Sequence, residues 1–152
     1  MHIVLLLHSL IRWLIVLAGV WTIYTALSGI RSKRAHSNSD QRPGLLFMIF
    51  CDIQLLLGLV LYFSNGWFDK LKHFAEIKSD VMNRFFAMEH FSMMLIAWIL
   101  VHLARVLVKR APNDLAAHKR SLIWFGLAFL LILSSIPWPF REALGRTWLY
   151  GF

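Results

Sequence analysis

Two histidines, His8 and His90, lie within long apolar stretches of the sequence, and each has a charged residue close by. Arg12 follows His8 by one helical turn, and Glu89 directly precedes His90. A charged side chain inside a bilayer costs roughly 2.5–3.5 kcal/mol even on lenient scales, so such residues commonly mark functional sites. Neutral imidazoles on two facing helices are the axial ligands that a b-type haem requires. His8 and His90 are therefore the candidate metal ligands.

The elements that must position these residues are membrane helices. The chain has 152 residues, of which 59% are hydrophobic, and its mean hydropathy is +0.61, far from the values of soluble proteins. A helix needs about 20 apolar residues to cross a bilayer. We expect an all-α membrane protein, an antiparallel four-transmembrane-helix bundle in one domain, with spans at about 3–30, 45–63, 82–109 and 121–137.

The first span carries a stripe of polar and small residues at helical spacing. His8, Arg12, Gly19, Thr22 and Ala26 recur along one face of a helix that otherwise consists of large apolar side chains. Small residues let membrane helices approach closely, and polar residues turn away from lipid. This stripe is predicted to face the interior of the bundle.

The distribution of basic residues predicts the orientation. The loops after the first and third spans hold nine Lys and Arg residues, and the loop after the second span and the tail hold six. By the positive-inside rule both termini lie outside, on the periplasmic side of a bacterial inner membrane. The N-terminus lacks a cleavage site and is expected to be a retained span. The net charge of +8 is ascribed to orientation and anionic lipid headgroups, with no nucleic-acid partner.

With that orientation, His8 lies about 8 Å and His90 about 9–12 Å inside the outer ends of their helices, at comparable depth. Arg12 is predicted to neutralise a haem propionate or to pair with Glu89. Arg12 and Glu89 are both expected to tune the charge of the site. Trp13 or Phe86 packs on the haem ring. The single cysteine, Cys51, excludes covalent c-type haem attachment. Further wall residues are predicted along the face of His90: Phe86, Met93, Met94 and Ala97.

His102 lies about 18 Å further along the third span and about 120° around the helix from His90. Its depth matches that of Cys51, Asp52 and Gln54 in the second span, which predicts hydrogen bonding between helices. Neither the second nor the fourth span has a histidine at that depth, so one haem is favoured over two.

Other interpretations of these residues remain open. His8 and His90 are alternatively buried structural residues, or part of a proton, quinone or other metal site. Four methionines near His90 are able to bind Cu(I), although packing is the preferred interpretation: Met82, Met88, Met93 and Met94. The remaining histidines are expected near water or in loops, and they carry no signal of a site: His2, His36, His73 and His118. An amphipathic segment at 64–80 and an aromatic tail with Trp148 and Tyr150 are predicted at the membrane interface.

Four segments support a resemblance. HSLIRW (His8 to Trp13), QLLLGLVLYF (Gln54 to Phe63), RFFAMEHFSMM (Arg84 to Met94) and LLILSSIPWPF (Leu130 to Phe140) touch all four spans. With these segments the sequence resembles small bacterial four-span membrane proteins of cytochrome-b-like type. The resemblance implies haem b bound through His8 and His90, and electron transfer in the membrane.

The preferred function is that of a b-type haem electron carrier, or of a haem-bearing anchor subunit of a respiratory complex. Such a protein exchanges electrons with a quinol in the bilayer or with an exported redox partner. One alternative is a haem-free accessory subunit that packs against larger membrane proteins. A weaker alternative is a proton relay through Glu89, His90, His102 and Asp52, whose spacing requires bridging waters.

Overall fold

The computed structural model describes residues 2–144 and 148, and it confirms an all-α bundle. Four helical segments are long and apolar enough to cross a membrane, so the chain is a multi-pass helical membrane protein. The elements in chain order are α1 (His2–Ser32), α2 (Asn38–Ser64), α3 (Trp67–Lys72), α4 (Phe74–Ile77), α5 (Val81–Arg84), a π-helical turn (Phe85–Glu89), α6 (His90–Lys109) and α7 (Asp114–Ser135). The third span consists of α5, the π-helical turn and α6.

The long helices form an antiparallel ring. α1 packs against α2 and α7, and α6 packs closely against α7 and more loosely against α2. Successive spans run in opposite directions, so His2 and Ser135 lie at one end, called here the terminal end. Ser32 and Asp114 lie at the other end, called the loop end. The looser contact between α2 and α6 leaves space on that side of the bundle.

Small residues of α1 allow α7 to approach closely. Ala18, Gly19, Thr22 and Ala26 are buried, and a side chain added at Gly19 would collide with the ring of Phe129. The hydroxyl of Thr22 donates to the carbonyl of Ala18, which satisfies it within its own helix. The predicted inward stripe of the first span is thus confirmed.

Two spans begin earlier than the sequence pattern predicts. α2 starts at Asn38, well before Pro43, because the Asp40 carboxylate accepts from the Ser37 N–H at 2.8 Å and pairs with Arg34 at 2.5 Å. α7 starts at Asp114, where the Asn113 side chain accepts from the N–H of the third residue after it. Polar first turns extend both helices beyond their apolar segments.

The region before His90 contains local irregularities that shape the site. The segment at 64–80 forms the short helices α3 and α4, and a π-helical turn follows α5. The Tyr62 hydroxyl of α2 donates to the Ala87 carbonyl within that turn at 2.7 Å. The Tyr62 ring also stacks on Phe91, with 4.5 Å between ring centroids. π-Helical turns inside α-helices occur frequently at functional sites.

Candidate functional site

A cavity of about 470 Å³ lies inside the bundle toward the terminal end. This volume is within the usual range of small-molecule sites. Its walls are mainly apolar, and the looser contact between α2 and α6 borders it. The lining residues include His8, Arg12, Gln54, Gly58, Trp67, Phe86, His90, Met94, Trp98 and Ile136. The predicted ligands His8 and His90 therefore line one cavity, and His90 follows the π-helical turn directly.

His90 is fixed in one orientation by α7. Its Nδ1 lies 2.9 Å from the Ser135 carbonyl oxygen, and a carbonyl only accepts, so in the neutral ring Nδ1 carries the hydrogen. The carbonyl is available because α7 ends there: Ile136 adopts an extended conformation before Pro137. The Nε2 atom of neutral His90 consequently keeps its lone pair. A metal-binding histidine is commonly oriented in this way by a carbonyl at its second nitrogen.

His8 and two residues that line the same cavity have buried polar atoms without a hydrogen-bond partner among the described residues. The buried Nδ1 of His8, the Arg12 Nε and the Gln54 Oε1 have no hydrogen-bond partner among the residues that the structure describes. All three side chains line the cavity. The His8 ring packs on Gly58, where an added Cβ would lie 3.3 Å from Cε1. Buried polar groups are nearly always satisfied, so this concentration calls for a ligand or ordered water in the cavity.

Arg12 extends from the cavity toward the C-terminal segment. Its guanidinium donates to the Ser9 hydroxyl at 3.3 Å and to the Trp148 carbonyl, to which the Trp13 indole also donates. The rings of Trp13, Trp138 and Trp148 form a cluster with centroids 6.0–6.1 Å apart. Trp13 belongs to this cluster and is absent from the described cavity lining, whereas Phe86 lines the cavity. Tyr150, the other predicted tail aromatic, is outside the described residues.

The predicted pairing of Arg12 with Glu89 is wrong. Glu89 pairs with Arg84 at 2.7 Å, and Arg84 also donates to the Lys78 carbonyl at 2.8 Å. The cause is the π-helical turn, in which residues five apart are brought into register. Arg84 and Glu89 are five apart, so they meet on one face, away from the described cavity lining. Arg12 remains the cation of the cavity.

The predicted wall residues separate into two groups. Phe86 and Met94 line the cavity, while Ala97 is buried in the core. The Met93 sulfur accepts from the Ser135 hydroxyl at 3.2 Å. Met93 thus contacts the residue that orients His90 rather than the described cavity lining.

His102 contacts Asp52 as predicted. Its Nε2 lies 3.3 Å from the Asp52 Oδ1, and the Trp98 indole donates to the same oxygen at 2.6 Å. Gln54, the other predicted partner, lines the cavity instead. More than a third of each side chain of the His102–Asp52 pair is exposed on the surface between α2 and α6.

His118 is not near water, contrary to the prediction. Its exposure is 1%, and its ring occupies the space beside Gly29, where an added Cβ would collide with it. The His36 ring packs on it edge to face, with 4.9 Å between centroids. Burial, and secondly His118, lower the pKa of His36 below its ordinary value. The signal in the sequence was helical spacing, because His118 lies on the same face of α7 as other residues that the structure buries: Ala117, Ser121, Phe125 and Ala128.

Within residues 2–144 and 148, no group of three or more His, Cys, Asp or Glu side chains is arranged to hold a metal ion. No protein-family model matches the sequence, and no curated protein or solved structure matches it.

Proposed function

We propose that the protein binds one b-type haem in this cavity and transfers electrons in the membrane, alone or as the haem-bearing subunit of a redox complex. One observation carries the proposal: His8 of α1 and His90 of α6 line a single, largely apolar cavity, and the hydrogen bond of His90 to Ser135 leaves its Nε2 available. The resemblance of four segments to cytochrome-b-like proteins agrees with it.

The residues that surround the cavity fit a haem. His8 and His90 would hold the iron, and the apolar walls suit the macrocycle. Arg12 would pair with a propionate, which would satisfy its unpartnered Nε. Haem supplies reversible one-electron transfer when it is bound. A bound haem would also account for the buried polar atoms of His8, Arg12 and Gln54 that have no partner among the described residues.

The chain itself orients and insulates the site. The Ser135 carbonyl fixes the tautomer of His90, and Gly58 leaves room for the ring of His8. The Tyr62 hydroxyl holds the π-helical turn from which His90 extends. These contacts restrict both histidines without a covalent link, and the apolar lining limits access of water.

We also propose the membrane in which the protein resides and the partners that it contacts. Its location is a bacterial inner membrane with both termini on the periplasmic side, supported by the excess of basic residues at the loop end. Its partners are membrane lipids, a quinol or exported redox protein as electron donor or acceptor, and other membrane subunits. The cavity lies toward the terminal end, which favours exchange on the periplasmic side.

The test is a reduced-minus-oxidised difference spectrum of protein purified in detergent. We expect an α-band near about 560 nm that is absent from His8→Ala and from His90→Ala. His73→Ala is the matched control, since His73 is exposed between α3 and α4, and it keeps the band. A colourless wild-type protein that remains folded would overturn the proposal and favour a haem-free accessory subunit.

A further inference from the structure

The surface between α2 and α6 carries a polar cluster that the proposed haem does not use. It consists of Asp52, Trp98 and His102, called here the α2–α6 cluster. The Asp52 Oδ1 accepts from the Trp98 indole at 2.6 Å and lies 3.3 Å from the His102 Nε2. Asp52 is about 20 Å from either end of α2, close to the middle of the span.

The geometry of the α2–α6 cluster indicates a hydrogen bond between Asp52 and His102. The His102 Nδ1 lies 3.0 Å from the Trp98 carbonyl oxygen, and because a carbonyl only accepts, Nδ1 carries a hydrogen. A neutral His102 would then direct the Nε2 lone pair at the Asp52 carboxylate. The contact is favourable only when a proton lies on Nε2 or on the carboxyl oxygen. Asp52 and His102 are thus joined by one hydrogen bond.

The exposure of this pair distinguishes it from an ordinary contact between helices. Side chains that only join two helices are buried between them, but here 39% of Asp52 and 36% of His102 is exposed on the bundle surface. Polar groups that face hydrocarbon near mid-bilayer are costly, and they normally mark a functional contact. Lipid headgroups lie too far away to reach them. A membrane-soluble molecule with an isolated polar group would fit this surface.

Trp98 connects this surface to the cavity. Its ring lies 4.4 Å from that of His102, centroid to centroid, and it also lines the cavity with His90. A flat molecule on the α2–α6 cluster would be separated from the cavity by one aromatic side chain. This favours a redox-active ligand with a planar ring.

We propose that the α2–α6 cluster binds the headgroup of an isoprenoid quinone or quinol that enters from the bilayer. The site extends the proposed function, because it supplies the class of molecule that exchanges electrons with the haem protein. The imidazole N–H of His102 donates a hydrogen bond to a quinone carbonyl. The Asp52 carboxylate accepts a hydrogen bond from a quinol hydroxyl. The isoprenoid tail remains in the lipid.

The test is photo-labelling of the full-length protein in liposomes with an azidoquinone, followed by mass spectrometry of the labelled peptides. We expect labels on α2 and α6 within one helical turn of Asp52 and His102, and competition by excess unlabelled quinone. Asp52→Asn and His102→Gln should each reduce labelling about tenfold, as the loss of one charge-assisted hydrogen bond predicts. Asp69→Asn is the control, because that carboxylate lies on α3 and pairs with Lys72.

The outcomes separate this site from the haem. The Asp52 and His102 variants should keep the α-band, which shows that they remain folded. His8→Ala should lose the band yet keep the label, since quinone binding does not involve His8. A wild-type protein without haem that is still labelled at these positions would overturn the proposed function alone. Labelling elsewhere, or none, would overturn the quinone site. The quinone site would also be overturned if two copies of the protein cross-linked through this surface and thereby excluded the label.

Discussion

Each end of the bundle has a histidine on an inward face, and the surroundings of the two rings distinguish a candidate site from side-chain packing. His90 lines an open cavity, and a carbonyl of α7 fixes its ring. His118, at the loop end, fills the space beside Gly29 and is sealed by the ring of His36. Burial alone does not identify a functional histidine. The cavity beside it, and the hydrogen bond that sets its tautomer, are the informative features.

The two glycines that face histidine rings differ in the same way. Gly58 leaves slightly less than an ordinary contact between α2 and His8: an added Cβ would lie 3.3 Å from Cε1, so the ring would have to move by a few tenths of an ångström. Gly29 allows α7 to approach so closely that an added Cβ would overlap the His118 ring. At the terminal end a cavity remains beside His8, whereas at the loop end Gly29 allows the helices to pack without a gap.

The largest expected effect contrasts the two histidines directly. His90→Ala should abolish the haem α-band, because it would remove one of the two proposed ligands of the haem iron. His118→Ala should keep the band and lower the free energy of unfolding by about 2–3 kcal/mol, because it leaves a cavity in a close-packed contact. Difference spectra and chemical denaturation in detergent measure the two quantities. If the His118 variant also lost the band while remaining folded, the assignment of the two ends would be wrong.

A second contrast uses the glycines. Gly29→Ala should lower the free energy of unfolding by about 1–3 kcal/mol through overpacking against His118, and leave the α-band position unchanged. Gly58→Ala should change stability by less than about 1 kcal/mol, since its neighbour needs to move only slightly, and should shift the band or the reduction potential by displacing His8. Denaturation curves and redox titration measure these effects. A Gly58 variant that is indistinguishable from wild type would argue against His8 as a ligand.

The sequence is sufficient for the architecture and for the expectation that His8 and His90 lie close together, and both line one cavity. Four apolar segments predicted four spanning helices, and the small residues of α1 predicted its buried face. His8 and His90 were expected together because equal depth follows from chain direction and rise per residue alone. Such regularities depend on helix geometry, which is nearly independent of side-chain detail.

Local deviations from regular helix geometry cannot be predicted from apolar periodicity and rise per residue. The π-helical turn pairs Glu89 with Arg84 and not with Arg12, and the Tyr62 hydroxyl binds a carbonyl within this turn, a contact between helices that the local sequence does not report. The burial of His118 depends on how closely α1 approaches α7, which hydropathy does not report. Polar first turns extend α2 and α7 because capping groups stabilise them.

A smaller effect is expected at the π-helical turn. Tyr62→Phe removes the hydrogen bond to the Ala87 carbonyl and should lower the free energy of unfolding by about 1 kcal/mol. Because the π-helical turn directly precedes His90, the substitution should also broaden or shift the α-band. Tyr24→Phe is a matched control, because Tyr24 is 70% exposed on the surface of α1. Equal stability of the two variants would show that the Tyr62 hydroxyl does not hold the turn.

The smallest effect concerns acid stability at the loop end. Burial and His118 lower the pKa of His36, whereas Asp40 and Asp114 raise it and Arg34 lowers it slightly. Because the folded pKa lies below the unfolded one, the unfolded chain binds the proton first, and stability falls as the pH decreases through the ordinary histidine range. His36→Gln should therefore reduce the loss of unfolding free energy between neutral and mildly acidic pH, as measured by denaturation at several pH values. A steeper acid loss in the variant would mean that the neighbouring carboxylates control His36, and that the loop end stabilises its charged form.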